Sequence, residues 1–441
     1  MNTSDTIFAL ASGALPSGVA VIRVSGPGVR FGLETLIDSI PEPRRASLRK
    51  LRDSKGDVLD RGLVVFFPGP GSFTGEDVAE LQVHGGPAVV SAVLRVLGEL
   101  KGFRLAEAGE FTRRAFGNDR LDLTQVEGLA DLVAAETEAQ RRQALREAEG
   151  AFGAACGRWR EALVRARALI EAELDFADEE DVPGSVSDQA WRIVADVRSE
   201  IAGHAADRRG ERIRDGLEVV VLGPPNAGKS SLVNAIARRD VAIVTPEPGT
   251  TRDMIEVRLD LAGVPVTLVD TAGLREAGGL VEREGIRRGA ARAERADLVL
   301  WLGDVREGQA EPPALSAPIV RVGTHGDLFD SGSEQGRILN AFDVVVSSVT
   351  GLGLGDLLDE LGRRVVKMTG GEPALVTRER QRSALRDCLS GIDDGLSGND
   401  RPIELRAEDL RRAGDALGRL TGRIGVEDLL DVIFREFCVG K

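Results

Sequence analysis

Residues 223–230, Gly223-Pro-Pro-Asn-Ala-Gly-Lys229-Ser230, have the spacing of a phosphate-binding loop. In such a loop the backbone N–H groups and the first turn of the following helix point at phosphate oxygens, a lysine adds a point charge, and a serine hydroxyl reaches Mg²⁺. The context matches: an apolar strand, Leu217–Leu222, leads in and helix-forming sequence, Ser231–Ala237, leads out. Downstream, Gly249-Thr-Thr-Arg-Asp253 offers hydroxyls on a loop suited to sensing a γ-phosphate. The spacing then predicts a hairpin that turns at Ala262-Gly263, and its second strand delivers Asp270-Thr-Ala-Gly273. A carboxylate there can hold Mg²⁺ through water while the glycine approaches the γ-phosphate. Strands over 298–302, 319–322 and 344–346 would complete a doubly wound sheet with its ligands at the carboxyl ends.

Order, spacing and element type agree on a guanine-nucleotide hydrolase domain. Its expected GTP contacts are Asn226, Ala227, Gly228, Lys229, Ser230, Ser231, Thr245, Thr250, Thr251, Asp270, Thr271, Ala272, Gly273, Thr324, Asp327, Ser347 and Ser348, with Mg²⁺ at Ser230, Thr251 and Asp270. Two motifs depart from the usual pattern. Thr324-His-Gly-Asp327 stands where Asn-Lys-x-Asp is standard, so the aspartate that pairs with guanine N1 and N2 hydrogens is kept while the asparagine and lysine are not. Thr324 is shorter than asparagine; His325 either stacks over the base or is an exposed histidine without contact. Leu274 occupies the place where many GTPases carry a glutamine, so another group has to orient the attacking water.

The elements that position these residues fall into three parts. Up to about residue 118 the sequence mixes strands and helices: Val19–Ser25 closes on Gly26-Pro-Gly28, and Leu63–Phe67 is cut off by Pro68-Gly-Pro-Gly71. Ala79, Leu81 and Val83 alternate with Glu80, Gln82 and His84 as in a half-buried strand, and Val89, Val93, Val96 and Leu97 follow at helical spacing. From Leu123 the period is helical, with a capping box expected at Thr124 and Glu127, and it runs to about Arg214 with an acidic break at 178–183. Helical sequence resumes after about Val366. An α/β domain inserted into a helical one is the economical reading, the two helical halves packing together. The fold class is therefore multidomain α/β: an N-terminal α+β domain, a helical domain, and an inserted Ras-like, doubly wound P-loop GTPase domain.

Composition bounds the rest. The 441 residues suit two to four domains, and 42% hydrophobic with 29% charged residues excludes wholesale disorder. Three scattered cysteines and three histidines argue against a disulfide framework and a multi-histidine metal site. A net charge of −14 argues against coating nucleic acid by charge alone, and the lack of tyrosine with 4% aromatics against a base-stacking platform. Arg113, Arg114 and Arg120 are either a local basic patch or ordinary surface arginines. Neither a secretion signal nor a membrane span is recognisable, so a cytoplasmic location is expected.

Beyond the nucleotide motifs, the chain closely resembles the MnmE (TrmE) family of tRNA-modification GTPases over nearly its whole length. The marks are Gly109-Glu-Phe-Thr-Arg-Arg-Ala-Phe116, Leu121-Asp-Leu-Thr-Gln125, Asp175-Phe176, Pro225-Asn-Ala-Gly-Lys-Ser-Ser231, Asp270-Thr-Ala-Gly-Leu274 and Phe437-Cys-Val-Gly-Lys441. The resemblance implies a folate-binding and dimerisation domain at 1–118, a helical domain at 119–214 and 368–441, and an inserted G domain at 215–367. It implies a homodimer that, with the FAD-carrying flavoprotein MnmG (GidA) in a heterotetramer, adds a carboxymethylaminomethyl or aminomethyl group to C5 of the wobble uridine of tRNA. A formyl-tetrahydrofolate would lie at Arg23, Glu80 and Arg120, with Lys441 nearby; a lysine is common at position 120, and arginine keeps its charge but not its geometry. Without the resemblance, Arg23 and Glu80 read as surface residues. It further implies that Cys438 takes part in chemistry, that Glu282 positions water (Glu276 and Glu284 being the neighbouring alternatives), and that K⁺ sits at Asn226, Thr245, Glu247 and Thr250. A regulatory GTPase switch, for instance in ribosome assembly, is the competing reading; a free-standing folate enzyme gives no reason for an attached G domain.

Overall fold

The computed structural model describes residues 5–175, 186–243, 255–270, 292–307, 311–328, 341–370, 373–397 and 401–424, together with Leu430, Ile433, Phe434, Phe437 and Gly440. The chain forms two compact units, Met1–Ala130 with Glu147–Val194 and Asp394–Lys441, and Asp131–Arg146 with Ala195–Asp393.

The first unit is built on a six-stranded sheet. Its strands are β1 (Thr6–Leu10), β2 (Ser17–Ser25), β3 (Ser47–Arg52), β4 (Val58–Phe67), β5 (Val78–Gly85) and β6 (Phe103–Leu105), in the order β3-β4-β5-β2-β1-β6. Only the β1–β6 pair is parallel. Helices α1 (Val29–Leu36) and α2 (Pro87–Gly98) cover one face, where Ala79, Leu81 and Val83 meet Val90, Val93, Val96 and Leu97 in the core. Pro87 starts α2 without loss because its missing N–H falls among the unbonded donors of a first turn. The opposite face buries Ile7 and Ala9 with Ala106 and Phe111, the last on α3 (Glu110–Gly117).

Helix α4 (Leu123–Ala134) starts one step earlier than its expected cap. The Asp122 carboxylate accepts from the Gln125 N–H at 2.9 Å and from the Thr124 hydroxyl, and the Gln125 side chain accepts from the Asp122 N–H at 3.0 Å. The capping box is thus Asp122/Gln125, not Thr124/Glu127. Thr124 and Glu127 are buried in the helix instead, because Leu123 and Val126 pack with Ile433, Phe434 and Phe437 and turn that face inward. The long helix α6 (Ala151–Asp175) packs on the helix Ile403–Leu420, so sequence from both sides of the nucleotide motifs shares one bundle.

Other helices among the described residues are α5 (Glu138–Ala148), α7 (Val186–Ala206), α8 (Arg209–Asp215), α9 (Lys229–Ala237), Leu354–Thr369 and Glu379–Ser397. The sheet of the second unit comprises β7 (Leu217–Leu222), β8 (Ile255–Leu261), β9 (Val264–Asp270), β10 (Leu298–Asp304), β11 (Ile319–Thr324) and β12 (Val344–Val345), ordered β12-β11-β10-β7-β9-β8. Strand β8 alone is antiparallel, joined to β9 by a tight turn with Ala262 at φ +54 and Gly263 at φ +83. The central strands are buried on both sides, as parallel strands flanked by helices must be, and so read as continuous apolar runs such as Leu217–Leu222. A fully buried guanidinium, Arg382, ties this unit's helices together. It donates to the carbonyls of Ala205 and Asp207 and to the Glu211 carboxylate, so the charge carries its own compensation.

Candidate functional site

The phosphate loop leaves β7 at the carboxyl end of the sheet. Gly223 has φ +154, and a Cβ there would lie 2.5 Å from the Leu302 carbonyl oxygen, so only glycine lets the loop leave the strand beside β10. Asn226 at φ +63 and Gly228 at φ +78 bend the backbone into the left-handed region on either side of Ala227. Such alternation makes an anion-binding nest, and it opens directly onto the N-terminus of α9. Lys229, the first helical residue, is buried and arches back over the loop, donating to the carbonyl oxygens of Gly223 at 3.0 Å and Pro224 at 2.9 Å. Ser230 is half-buried and Ser231 exposed. Asp270, the last residue of β9, is fully buried and in register with Val221. The parallel pairing of β7 and β9 therefore sets a carboxylate beside the start of the phosphate loop.

The guanine-motif residues gather at the ends of β10 and β11, where Asp304 is in register with Thr324. Thr324 is buried, and its hydroxyl donates to the Gly303 carbonyl at 3.2 Å. His325 adopts φ +60, with Nδ1 3.0 Å from Asp304 Oδ2. Asp304 in turn is clasped by Arg306 through both oxygens, Nη2 lying 2.6 Å from Oδ2. Hydrogen bonding by Arg306 brings the Asp304 carboxyl down to about 2. Asp327 is exposed on the short turn Gly326–Leu328, and a hydrogen bond with the Ser347 hydroxyl holds its carboxyl below the ordinary range. Ser347 is fully buried, and its oxygen accepts from the N–H groups of Val349 and Thr350, so the fifth motif braces the fourth. Ser348 beside it is half-buried.

In the first unit, Arg23 and Glu80 sit directly opposite on β2 and β5. They bond to one another, with Nη2–Oε1 at 2.9 Å and Nε–Oε1 at 3.2 Å. The Arg23 guanidinium also lies 5.5 Å from the Phe73 ring and 5.7 Å from the Phe111 ring, aromatic neighbours that sequence alone does not associate with it. Arg120 is exposed, its Cγ close against the turn at Gly75.

Of the two readings of Arg113, Arg114 and Arg120, a single basic patch does not form, and Arg114 is not an ordinary surface arginine either. Arg114 is buried among carboxylates, with Asp5 at 2.9 Å and Glu76 and Glu110 at 3.2 Å, because one face of α3 is pinned to the sheet. Arg113 covers the Phe434 ring at 5.2 Å. Asp304 and Arg306 were the residues that sequence reading missed. Their signal is an Asp-x-Arg at the end of an apolar strand, which has no meaning until β11 is seen beside it. Thr245, Glu247, Thr250, Thr251, Thr271, Ala272, Gly273, Leu274, Glu276, Glu282, Glu284, Cys438 and Lys441 lie outside the described residues. Among the described residues no helix is long and apolar enough to cross a membrane, and no cluster of three metal-ligating side chains occurs.

Comparison with known proteins matches residues 6–120 to the family model "GTP-binding protein TrmE N-terminus" and residues 123–438 to "MnmE helical domain". The chain is 54% identical over 441 residues, all of this chain and 99% of the relative, to the tRNA modification GTPase MnmE of Azorhizobium caulinodans. It is 53% identical over 440 residues, 99% of this chain and 98% of the relative, to that of Brucella anthropi. Among solved structures, a crystal structure of Aquifex aeolicus Era bound to GDP·AlF4⁻ is similar at 21% identity over 40% of this chain and 66% of that one, with a TM-score of 0.28.

Proposed function

Because the chain belongs to the MnmE (TrmE) family of tRNA modification GTPases and is a GTP hydrolase, we propose that it works with the flavoprotein MnmG to add a carboxymethylaminomethyl or aminomethyl group to C5 of the wobble uridine of tRNA. It does so as a cytoplasmic homodimer in complex with that FAD-carrying partner. The G domain spans 215–367, inserted between helical parts at 119–214 and 368–441, and a folate-binding and dimerisation domain occupies 1–118.

The observation that carries the hydrolase site is the left-handed loop between β7 and α9, with Asp270 in register beside it. Its N–H groups and Lys229 bind the phosphates, while Asp327, braced by Ser347, reads the guanine. Ser230 and Asp270 offer hard oxygen donors of the kind Mg²⁺ takes, and Thr251 would complete the set. When bound, Mg²⁺ would offset charge developing on the phosphates; the chain's own part is to fix the phosphates in line. K⁺ at Asn226, Thr245, Glu247 and Thr250, and water positioned by Glu282, compensate for Leu274. Arg23, Glu80, Arg120 and Lys441 take a reduced folate, 5-formyltetrahydrofolate or a related one-carbon form, and Cys438 joins the chemistry on uridine. The Arg23–Glu80 pair and the exposed Phe73 ring support this with a guanidinium that can donate to a ligand carboxylate, a carboxylate that can accept from pterin N–H groups, and an apolar wall.

The test is nucleoside analysis of tRNA from cells lacking the gene. Loss of the C5-modified wobble uridine, restored by the wild-type chain and not by Lys229→Ala, is expected. Unchanged tRNA would leave the chain a GTPase switch without a part in this modification.

A further inference from the structure

The altered guanine motif brings a histidine to the position of the usual lysine, and the surrounding contacts say how it is used. His325 adopts a left-handed backbone, which a non-glycine residue keeps only when its surroundings hold it there. Asp304 Oδ2 lies 3.0 Å from its Nδ1. An ionised carboxylate can only accept, so a proton carried on Nδ1 makes this close approach favourable. The carboxylate is itself fixed: its side chain is 7% exposed, Arg306 grips both oxygens, and the Arg306 N–H donates to Oδ1 at 2.9 Å. On its other side the imidazole comes near the phosphate loop. A Cβ built on Gly228 would stand 3.8 Å from His325 Cε1 and 3.8 Å from Thr324 Cγ2, ordinary packing distance. The Thr324 hydroxyl donates to the Gly303 carbonyl at 3.2 Å and lies 3.4 Å from the His325 Nδ1. The Thr324 methyl and the imidazole edge thus face the last loop residue before Lys229 across the space that a side chain there would fill.

We propose that Asp304 is a positioning residue of the guanine pocket, acting through His325: it holds the imidazole in place beside Gly228, and so fixes the turn after β11 that carries Asp327 relative to the phosphate loop. The inference rests on the reading of this end of the sheet as the guanine pocket. Arg306 serves Asp304 rather than the nucleotide. The charged groups around the ring are Asp304, Arg306 and Asp327.

The test is a double-mutant cycle on the full chain, read by equilibrium binding and dissociation of fluorescent GDP. Asp304→Ala and His325→Ala should each weaken binding by about tenfold, the worth of one charge-assisted hydrogen bond, mainly through faster release. The double variant should bind no more weakly than His325→Ala alone, since the aspartate acts only through the ring. Asp304→Asn preserves shape and an acceptor, covers the case in which the alanine variant fails to fold, and should show a smaller loss that also disappears in the His325→Ala background. Unchanged affinity on Asp304 replacement, or an equal loss with and without His325, overturns the proposal. Asp327→Ala separates the two readings. If it abolishes binding while Asp304 replacement does nothing, the positioning role alone fails; if it too does nothing, the pocket itself is misassigned.

Discussion

Arg23 on β2 and Glu80 on β5 form a cross-strand ion pair, Nη2 to Oε1 at 2.9 Å, each side chain 22% exposed. Two groups proposed to take one ligand thus compensate each other, and a ligand carboxylate would have to share the arginine with Glu80.

Arg23→Ala should weaken 5-formyltetrahydrofolate binding by roughly tenfold, the lower end of the value of a charge-assisted hydrogen bond, because the ligand shares the arginine with an existing partner. Calorimetry on the full chain checks this. Wild-type protein that takes up no reduced folate would dismiss the assignment.

Hydrolysis of GTP should be faster in K⁺ than in Na⁺ and should fall on Glu282→Ala, since Leu274 cannot orient water. Phosphate release in matched salts is the measurement. Equal rates in both salts, or an unimpaired variant, would show that another group takes this role.

Asp327→Asn should turn preference from guanine toward xanthine nucleotides, because the amide presents a donor where the carboxylate accepted. The Ser347 hydroxyl keeps the side chain oriented in both forms. Competition of GDP and xanthosine diphosphate for the labelled nucleotide reads the switch; retained guanine preference contradicts the pairing.

Burial alone would raise the Glu110 carboxyl, yet hydrogen bonds from Arg104, the Glu107 N–H and Arg114 bring it below its ordinary value, and Asp5 in the same network is lowered as well. A depressed folded-state value contributes stability that is present above the ordinary carboxylate range and is lost as pH falls through and below it. Melting temperature should accordingly drop as pH is taken from about 5 toward 3. Glu110→Gln should lower stability at pH 7 and flatten that slope. A slope identical to wild type would mean the network carries no acid sensitivity.

Cys388 is buried, which pushes its thiol up to about 12, and Cys156 is buried too. Neither should react with a maleimide at pH 8 in the native chain. Labelling should therefore report Cys438, and Cys438→Ser should abolish tRNA modification while sparing GTP hydrolysis. Mass spectrometry of the labelled peptides decides the first part.

The sequence by itself determined the nucleotide machinery, because a phosphate loop is a local object: Gly223, Gly228, Lys229 and Ser230 act through backbone turns and one helix start that eight neighbouring residues specify. The buried strands were equally legible, since parallel strands covered on both faces leave unbroken apolar runs. What only the tertiary structure decided are the pairings between distant segments. Arg114 and Arg120 look alike in sequence, yet one is buried among Asp5, Glu76 and Glu110 while the other stays exposed. The cap of α4 moved to Asp122 because the burial of Leu123 and Val126 against Phe434 and Phe437 claims Thr124 and Glu127 for the interior. His325 acquires its partner only when β11 lies in register with β10 and brings Asp304 to its ring. Register is set by long-range strand pairing, and no window of neighbouring residues contains that information.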